Sequence, residues 1–74
     1  MDINMQKFLQ HKNPSISFVK GEQKKESMLL EELKKQGIKW DDDTKIDTSK
    51  SMIPCTYLWG EKGNLLYTKF NNKE

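Results

Sequence analysis

The chain contains no arginine and no alanine, and its 74 residues include a single cysteine and a single histidine. Arginine supplies the bidentate side chain that reads guanine edges and clamps phosphates, so its absence argues against sequence-specific DNA recognition. One cysteine excludes an internal disulfide and a cysteine-based zinc site. This cysteine content fits a reduced, cytoplasmic setting.

Apolar residues are also scarce. They make up 34% of the chain, which is low for a globular domain. No apolar run reaches 18 residues, so we expect no membrane-spanning segment, and the first five residues lack the pattern of a signal peptide. A chain this short forms one domain with a thin core, which a partner or a second copy would help to cover.

Charge is nearly balanced, with 13 lysines against 11 acidic residues and a net charge of +2. This excess is too small to argue for nucleic-acid binding on electrostatics alone. Six lysines in residues 20–39 give this region a local basic character, but four glutamates interrupt them. A solvated helix face is therefore the expected role of these charges.

The first half of the chain predicts a helix or arm, a strand and a second helix. In residues 1–14, Met5, Phe8 and Leu9 have helical spacing, with a short strand as the alternative. Apolar and polar residues alternate over 15–20, as in a strand. A turn containing Pro14 separates the two segments.

The main helix is expected over residues 22–36. Gly37 follows it where a left-handed C′ residue is wanted, and Ile38 can fold back on Leu33 as in a Schellman cap. This helix stop completes a strand–helix unit over residues 15–40.

The second half predicts a polar loop over 41–52 and a β-hairpin over 53–70, with a polar tail at 71–74. A short edge strand at 45–47 is an alternative within the loop, and long ordered loops are often functional. In the hairpin, Gly63 fits the left-handed position of a type I turn with a G1 bulge. Pairing of Gly60 with Asn64 would set Trp59 opposite Leu65 and Tyr57 opposite Tyr67.

The expected fold is therefore α+β, a small single domain in which one main helix packs on a mostly antiparallel sheet of three to four strands. Its order is βαββ, with a short N-terminal element. We expect the helix to cover the hairpin face that carries Leu58 and Leu66, which leaves Tyr57, Trp59 and Tyr67 partly exposed. The alternative is that the N-terminal segment folds over these aromatic side chains.

No catalytic or metal site is expected. Counted as an EF-hand from Asp41, the sixth and twelfth positions hold Ile46 and Met52 instead of Gly and Glu, so the acidic run is a solvated turn. His11 is expected in a surface turn, and Cys55 as a buried, inert thiol. Because no acid–base pair or nucleophile can be assembled, we expect no enzyme and no cofactor.

A binding surface is the remaining possibility. Exposed aromatic side chains can anchor an interface, and an acidic loop can steer a basic partner. The predicted binding residues are Tyr57, Trp59, Tyr67, Asp41, Asp42 and Asp43. Trp40, just past the helix stop, is expected to fill the space between helix and sheet.

The sequence resembles small early proteins of bacteriophages of low-GC Gram-positive hosts. The resemblance lies in the run from Leu33 through Gly37 to Trp40, the polar tract after it, and the strands at Tyr57–Trp59 and Leu65–Tyr67. The resemblance covers about residues 16–70. It implies a non-enzymatic protein in the host cytoplasm that inhibits or redirects a host protein, such as a defence, transcription or replication factor.

Two alternatives stay open at this point. One is a single-stranded nucleic-acid-binding module that uses the aromatic sheet face and lysines. The other is an oligomer that sequesters a small nucleotide, which requires self-association.

Overall fold

The computed structural model describes residues 2–69, so Met1, Phe70 and the predicted tail at 71–74 lie outside the described residues. The elements are α1 (Ile3–Leu9), β1 (Ser15–Phe18), α2 (Gln23–Lys35), β2 (Cys55–Trp59) and β3 (Leu65–Lys69). The strands form an antiparallel sheet in the order β1–β2–β3. The predicted α+β fold with βαββ order is confirmed, and its N-terminal element is a helix.

Helix α1 begins at an aspartate cap, where the amide of Asn4 donates to Asp2 Oδ1 at 2.7 Å. Such a cap satisfies a backbone donor that has no partner inside the helix. The helix buries Met5 and Phe8 in the core. Its chain then turns at His11, whose φ is 62°.

Helix α2 ends as the sequence predicts, within one residue of the expected boundary. The amide of Ile38 donates to the carbonyl of Leu33 and that of Gly37 to the carbonyl of Lys34, both at 3.0 Å. These are the two hydrogen bonds of a Schellman motif. Gly37 has a φ of 79°, in the left-handed region that side chains with a Cβ rarely adopt.

The hairpin register is also confirmed. Trp59 pairs with Leu65 and Tyr57 with Tyr67. The amide of Gly60 donates to the carbonyl of Asn64 at 2.7 Å, and Gly63 has a φ of 84°. The turn therefore fixes which side chains share a face of the sheet.

The expected packing of the main helix is wrong, because α2 covers the aromatic face of the hairpin. Tyr57 is 0% exposed and lies in one core cluster with the leucines of α2, whereas Leu58 and Leu66 on the other face are only half-buried. The aromatic face can be buried because its polar atoms find partners under the helices, and large rings bury more apolar area than leucines do. The alternative, that the N-terminal segment folds over the aromatic side chains, is confirmed for Trp59, on which Phe8 of α1 stacks, but not for Tyr67, which is 42% exposed.

The loop over 41–52 contributes one fully buried residue to the core, and Met52 packs against the core partly buried. Ile46 is only 2% exposed, although its neighbours are polar and exposed. The alternative of a strand at 45–47 is not found, since Lys45 forms a single antiparallel bridge with Lys39. Within residues 2–69, neither helix has the length and apolar character needed to cross a membrane.

Candidate functional site

The structure divides the predicted binding residues into two groups. Tyr57 and Trp59 lie under the helices, whereas Tyr67 remains 42% exposed beside the aspartates of the 41–52 loop. The expectation of one exposed surface carrying all three aromatic side chains is therefore wrong. What remains is a smaller site around Tyr67 and the aspartates.

Tyr57 is part of a buried polar cluster. Its hydroxyl donates to Glu26 Oε2 at 2.7 Å, and the amide of Met52 donates to the same oxygen at 2.8 Å. Burial, together with the hydrogen bond to Glu26, raises the pKa of the Tyr57 phenol far above its ordinary value. Tyr57 holds helix, loop and sheet together and offers no surface to a partner.

Trp59 is half-buried against the N-terminal segment. Its ring stacks on Phe8 at a centroid distance of 4.9 Å and on His11 at 4.1 Å. Its indole Nε1 donates to the carbonyl of Phe8 at 2.9 Å. With two stacking neighbours and a satisfied donor, Trp59 of β2 packs against the N-terminal segment.

The aspartates lie in a tight turn over residues 40–44, called the Asp turn below. The amide of Trp40 donates to the carbonyl of Thr44 at 3.0 Å, and the amide of Asp43 donates to that of Trp40 at 2.8 Å. The hydroxyl and amide of Thr44 both donate to Asp42 Oδ1, which holds the pKa of the Asp42 carboxyl below its usual value. The turn thus presents a well-ordered negative charge to solvent.

The Asp turn is fastened to the start of β3. The amide of Leu65 donates to the carbonyl of Lys39 at 2.9 Å, and the amide of Asp41 donates to the carbonyl of Leu65 at 3.1 Å. Residues 39–41 therefore form a short parallel bridge, called the strap below, on the outer edge of β3. Asn64 Nδ2 also donates to the carbonyl of Trp40 at 3.0 Å.

A cleft of about 370 Å³ lies between the Asp turn and β3. The ring of Trp40 packs edge-on against that of Tyr67, with centroids 5.5 Å apart. Trp40 was expected between helix and sheet; its half-buried ring packs against the core beside Tyr57 and also forms a wall of the opening. This edge cleft has apolar walls and an acidic rim, and its main lining residues are Trp40, Asp41, Asp42, Met52, Leu65 and Tyr67.

Two observations concern metal ligands and the single thiol in the described part of the chain. Across residues 2–69, no three His, Cys, Asp or Glu side chains converge as metal ligands would. Cys55 is fully buried, and burial raises the pKa of its thiol. A raised pKa disfavours the thiolate, which is the nucleophilic form.

Sequence reasoning missed Glu26, which is 1% exposed. A signal for it was present, because Glu26 precedes Leu29, Leu30 and Leu33 at the three-, four- and seven-residue intervals of one helix face. An acidic side chain in that stripe must find hydrogen-bond donors in the interior. The contribution of Met52 and Asn64 to the site had no comparable signal.

In comparisons with protein-family models, curated proteins and solved structures, no match to the chain was found.

Proposed function

We propose that this chain is a non-enzymatic protein-binding module that docks a partner protein at the edge cleft. The observation that carries the proposal is the convergence of an exposed tyrosine, a tryptophan wall and an acidic turn on one open cleft. These groups come from segments far apart in the chain, and the strap holds them together.

The edge cleft has the parts that strong protein interfaces use. Aromatic side chains supply large contact areas at low cost in conformational entropy, and they are enriched among residues that dominate binding energy. Tyr67 is exposed, while its ring is positioned by Trp40. Asp41 and Asp42 on the rim would favour a partner with basic groups and speed its association.

The target is proposed to be a host protein, which the chain would inhibit or redirect. The resemblance to small early phage proteins supports this part of the proposal, and binding without turnover is consistent with the cleft. Affinity capture from a low-GC Gram-positive lysate, with and without nuclease, tests it directly.

The capture experiment compares two variants of the cleft with one control variant. Tyr67→Ala and Asp41→Asn change the cleft, and Glu61→Gln changes an exposed acidic residue of the hairpin turn. We expect one dominant protein that survives nuclease, and a loss of about tenfold or more in affinity for Tyr67→Ala but not for Glu61→Gln. Capture that is equal for all variants would reject the cleft as the docking surface.

Nucleic-acid binding loses its main structural argument. Of the three aromatic side chains expected to form its stacking platform, only Tyr67 is exposed, because Tyr57 is buried and Trp59 is covered by α1 and His11. Tyr67 also lies beside acidic residues, which repel phosphates. Capture that disappears with nuclease, and oligonucleotide affinity that falls steeply with salt, would restore this alternative.

A further inference from the structure

We propose that the edge cleft binds an extended basic segment of the partner, which adds as a strand to the free edge of β3 at Tyr67 and Lys69. This inference rests on the protein-binding function proposed above and specifies its mode. The partner segment would place a basic side chain beside Asp41 and Asp42 and an apolar side chain in the cleft.

The hydrogen-bond alternation of β3 leaves its outer edge open at these two residues. In an antiparallel pair, residues alternate between bonding their neighbour strand and pointing away from it. Leu65 uses its amide and carbonyl on the outer side, where the strap lies. By the same alternation, the amides and carbonyls of Tyr67 and Lys69 point outward, and no backbone hydrogen bond from elsewhere in residues 2–69 reaches them.

The strap shows that this edge can hold an added strand. Residues 39–41 make two backbone hydrogen bonds to Leu65 and then leave the edge at the Asp turn. A partner segment would continue along the line of the strap from the point where it leaves. Main-chain bonds of this kind give affinity without strict sequence requirements, and alternate side chains add specificity.

The surroundings of the open edge define the chemistry of the segment. The walls formed by Trp40, Met52 and Tyr67 fit an apolar side chain. Asp41 and Asp42 lie on the rim, and hydrogen bonds from Thr44 lower the pKa of the Asp42 carboxyl below its usual value. An acidic segment would be repelled there, whereas lysine or arginine would be held.

A second copy of this chain cannot pair with the edge about Tyr67. Twofold pairing of two β3 strands about Tyr67 would bring Lys69 of one copy opposite Leu65 of the other. The outer hydrogen-bonding groups of Leu65 are already used by the strap, so the two copies would collide there. A short segment of another protein avoids this conflict.

The test uses five- to seven-residue synthetic peptides in which lysine alternates with Val, Ile, Phe or Tyr. Binding to the ¹⁵N-labelled chain is followed by NMR, together with hydrogen exchange of the Tyr67 and Lys69 amides. We expect saturable shifts at both amides and slower exchange on binding. Replacing the lysines of the peptide by glutamate should abolish these changes.

Backbone N-methylation of the peptide separates strand addition from side-chain docking. Two versions of each peptide carry methyl groups on alternate residues, in opposite phase. We expect one phase to lose about tenfold or more in affinity and the other to bind nearly as well, because only every second amide faces β3. The protein is unchanged in this comparison, so its folding does not enter.

Each outcome bears on one proposal. Binding that is equal for both methylation phases, without protection of Tyr67 and Lys69, overturns strand addition and leaves side-chain docking at the cleft. Absence of binding by every peptide also overturns strand addition, and the capture experiment with Tyr67→Ala then decides separately whether the cleft binds protein.

Discussion

Glu26 joins three parts of the molecule through one carboxyl oxygen. That oxygen accepts hydrogen bonds from the side chain of Tyr57 on β2 and from the amide of Met52 in the loop. Burying an acidic side chain costs free energy. The burial of Glu26 is tolerated because its oxygen and both donors satisfy one another by hydrogen bonds, so that none of them needs a water molecule. The loop that carries the Asp turn is thereby attached to helix α2.

Removing this side chain should be costly. We expect Glu26→Ala to lower the free energy of unfolding by about 2–4 kcal/mol, since the buried Tyr57 hydroxyl and the part-buried Met52 amide lose their acceptor. Urea denaturation measures the change. Glu31→Ala on the exposed face of the same helix is the matched control, with an expected change within about 0.5 kcal/mol. Equal losses in the two variants would mean that the buried hydrogen bonds contribute little.

Alkaline pH should destabilise the fold through the same cluster. The pKa values of Tyr57 and Cys55 are both raised in the folded state, from ordinary values of 10.0 and 9.0. Above these ordinary values the unfolded chain releases protons that the folded chain retains, so stability falls as pH rises. We expect the contribution of these groups to be complete below about pH 8 and to decline from about pH 9 upward.

The loss of stability with rising pH can be measured as the midpoint of urea unfolding between pH 7 and pH 11. Tyr57→Phe removes the phenol and keeps most of the ring packing, so its stability should fall less steeply with pH than that of the unaltered chain. Parallel pH profiles for the two proteins would contradict a role for Tyr57 in the decline.

At the scale of elements, the end of helix α2 gives a clean test of backbone strain. Gly37 has a φ of 79°, and a Cβ added there would meet no atom within 4 Å. Gly37→Ala should therefore cost about 1–2 kcal/mol from backbone conformation alone. Gly37→Asn should cost less, because asparagine tolerates the left-handed region better. A loss as large for Asn as for Ala, measured by thermal or urea unfolding, would point to another cause.

The elements that sequence predicted well are those fixed by local chemistry. The stop of α2 follows from Leu33, Gly37 and Ile38, and the hairpin register follows from Gly60 and Gly63. In each case, residues within about six positions of one another decide the backbone path. No distant partner was needed to choose between alternatives.

The choice of the buried sheet face could not be made in this way. Both faces of the hairpin look apolar in the sequence, because Leu58 and Leu66 lie on one face and Tyr57 and Trp59 on the other. The decision depends on hydrogen-bond partners far away in the chain, namely Glu26 for Tyr57 and the carbonyl of Phe8 for Trp59.

The candidate site shows the same division. Tyr67 and the three aspartates were predicted as binding residues, and the structure places Tyr67, Asp41 and Asp42 around one cleft. Their meeting depends on the strap, which has no periodic pattern in the sequence. Tyr57 and Trp59 were placed with them only because alternation puts the three aromatic residues on one face.

For the whole molecule, the open edge of β3 raises the question of self-association. Sheet edges are protected in many proteins by charged residues, above all lysine. Lys69 lies at this edge and is exposed. We expect Lys69→Val to increase self-association in analytical ultracentrifugation, whereas Lys62→Val in the hairpin turn should leave the protein unchanged. Equal self-association of the two variants would show that Lys69 does not prevent pairing at the edge of β3.

The contact between Trp59 and Phe8 joins residues 51 positions apart. Synthesis proceeds at about 5–20 residues per second, so the residues of α1 are made about 3–10 seconds before Trp59. During that interval Met5 and Phe8 have no sheet to pack on, and a seven-residue helix is not stable alone. The packing of α1 on Trp59 can therefore form only after β2 has been synthesised.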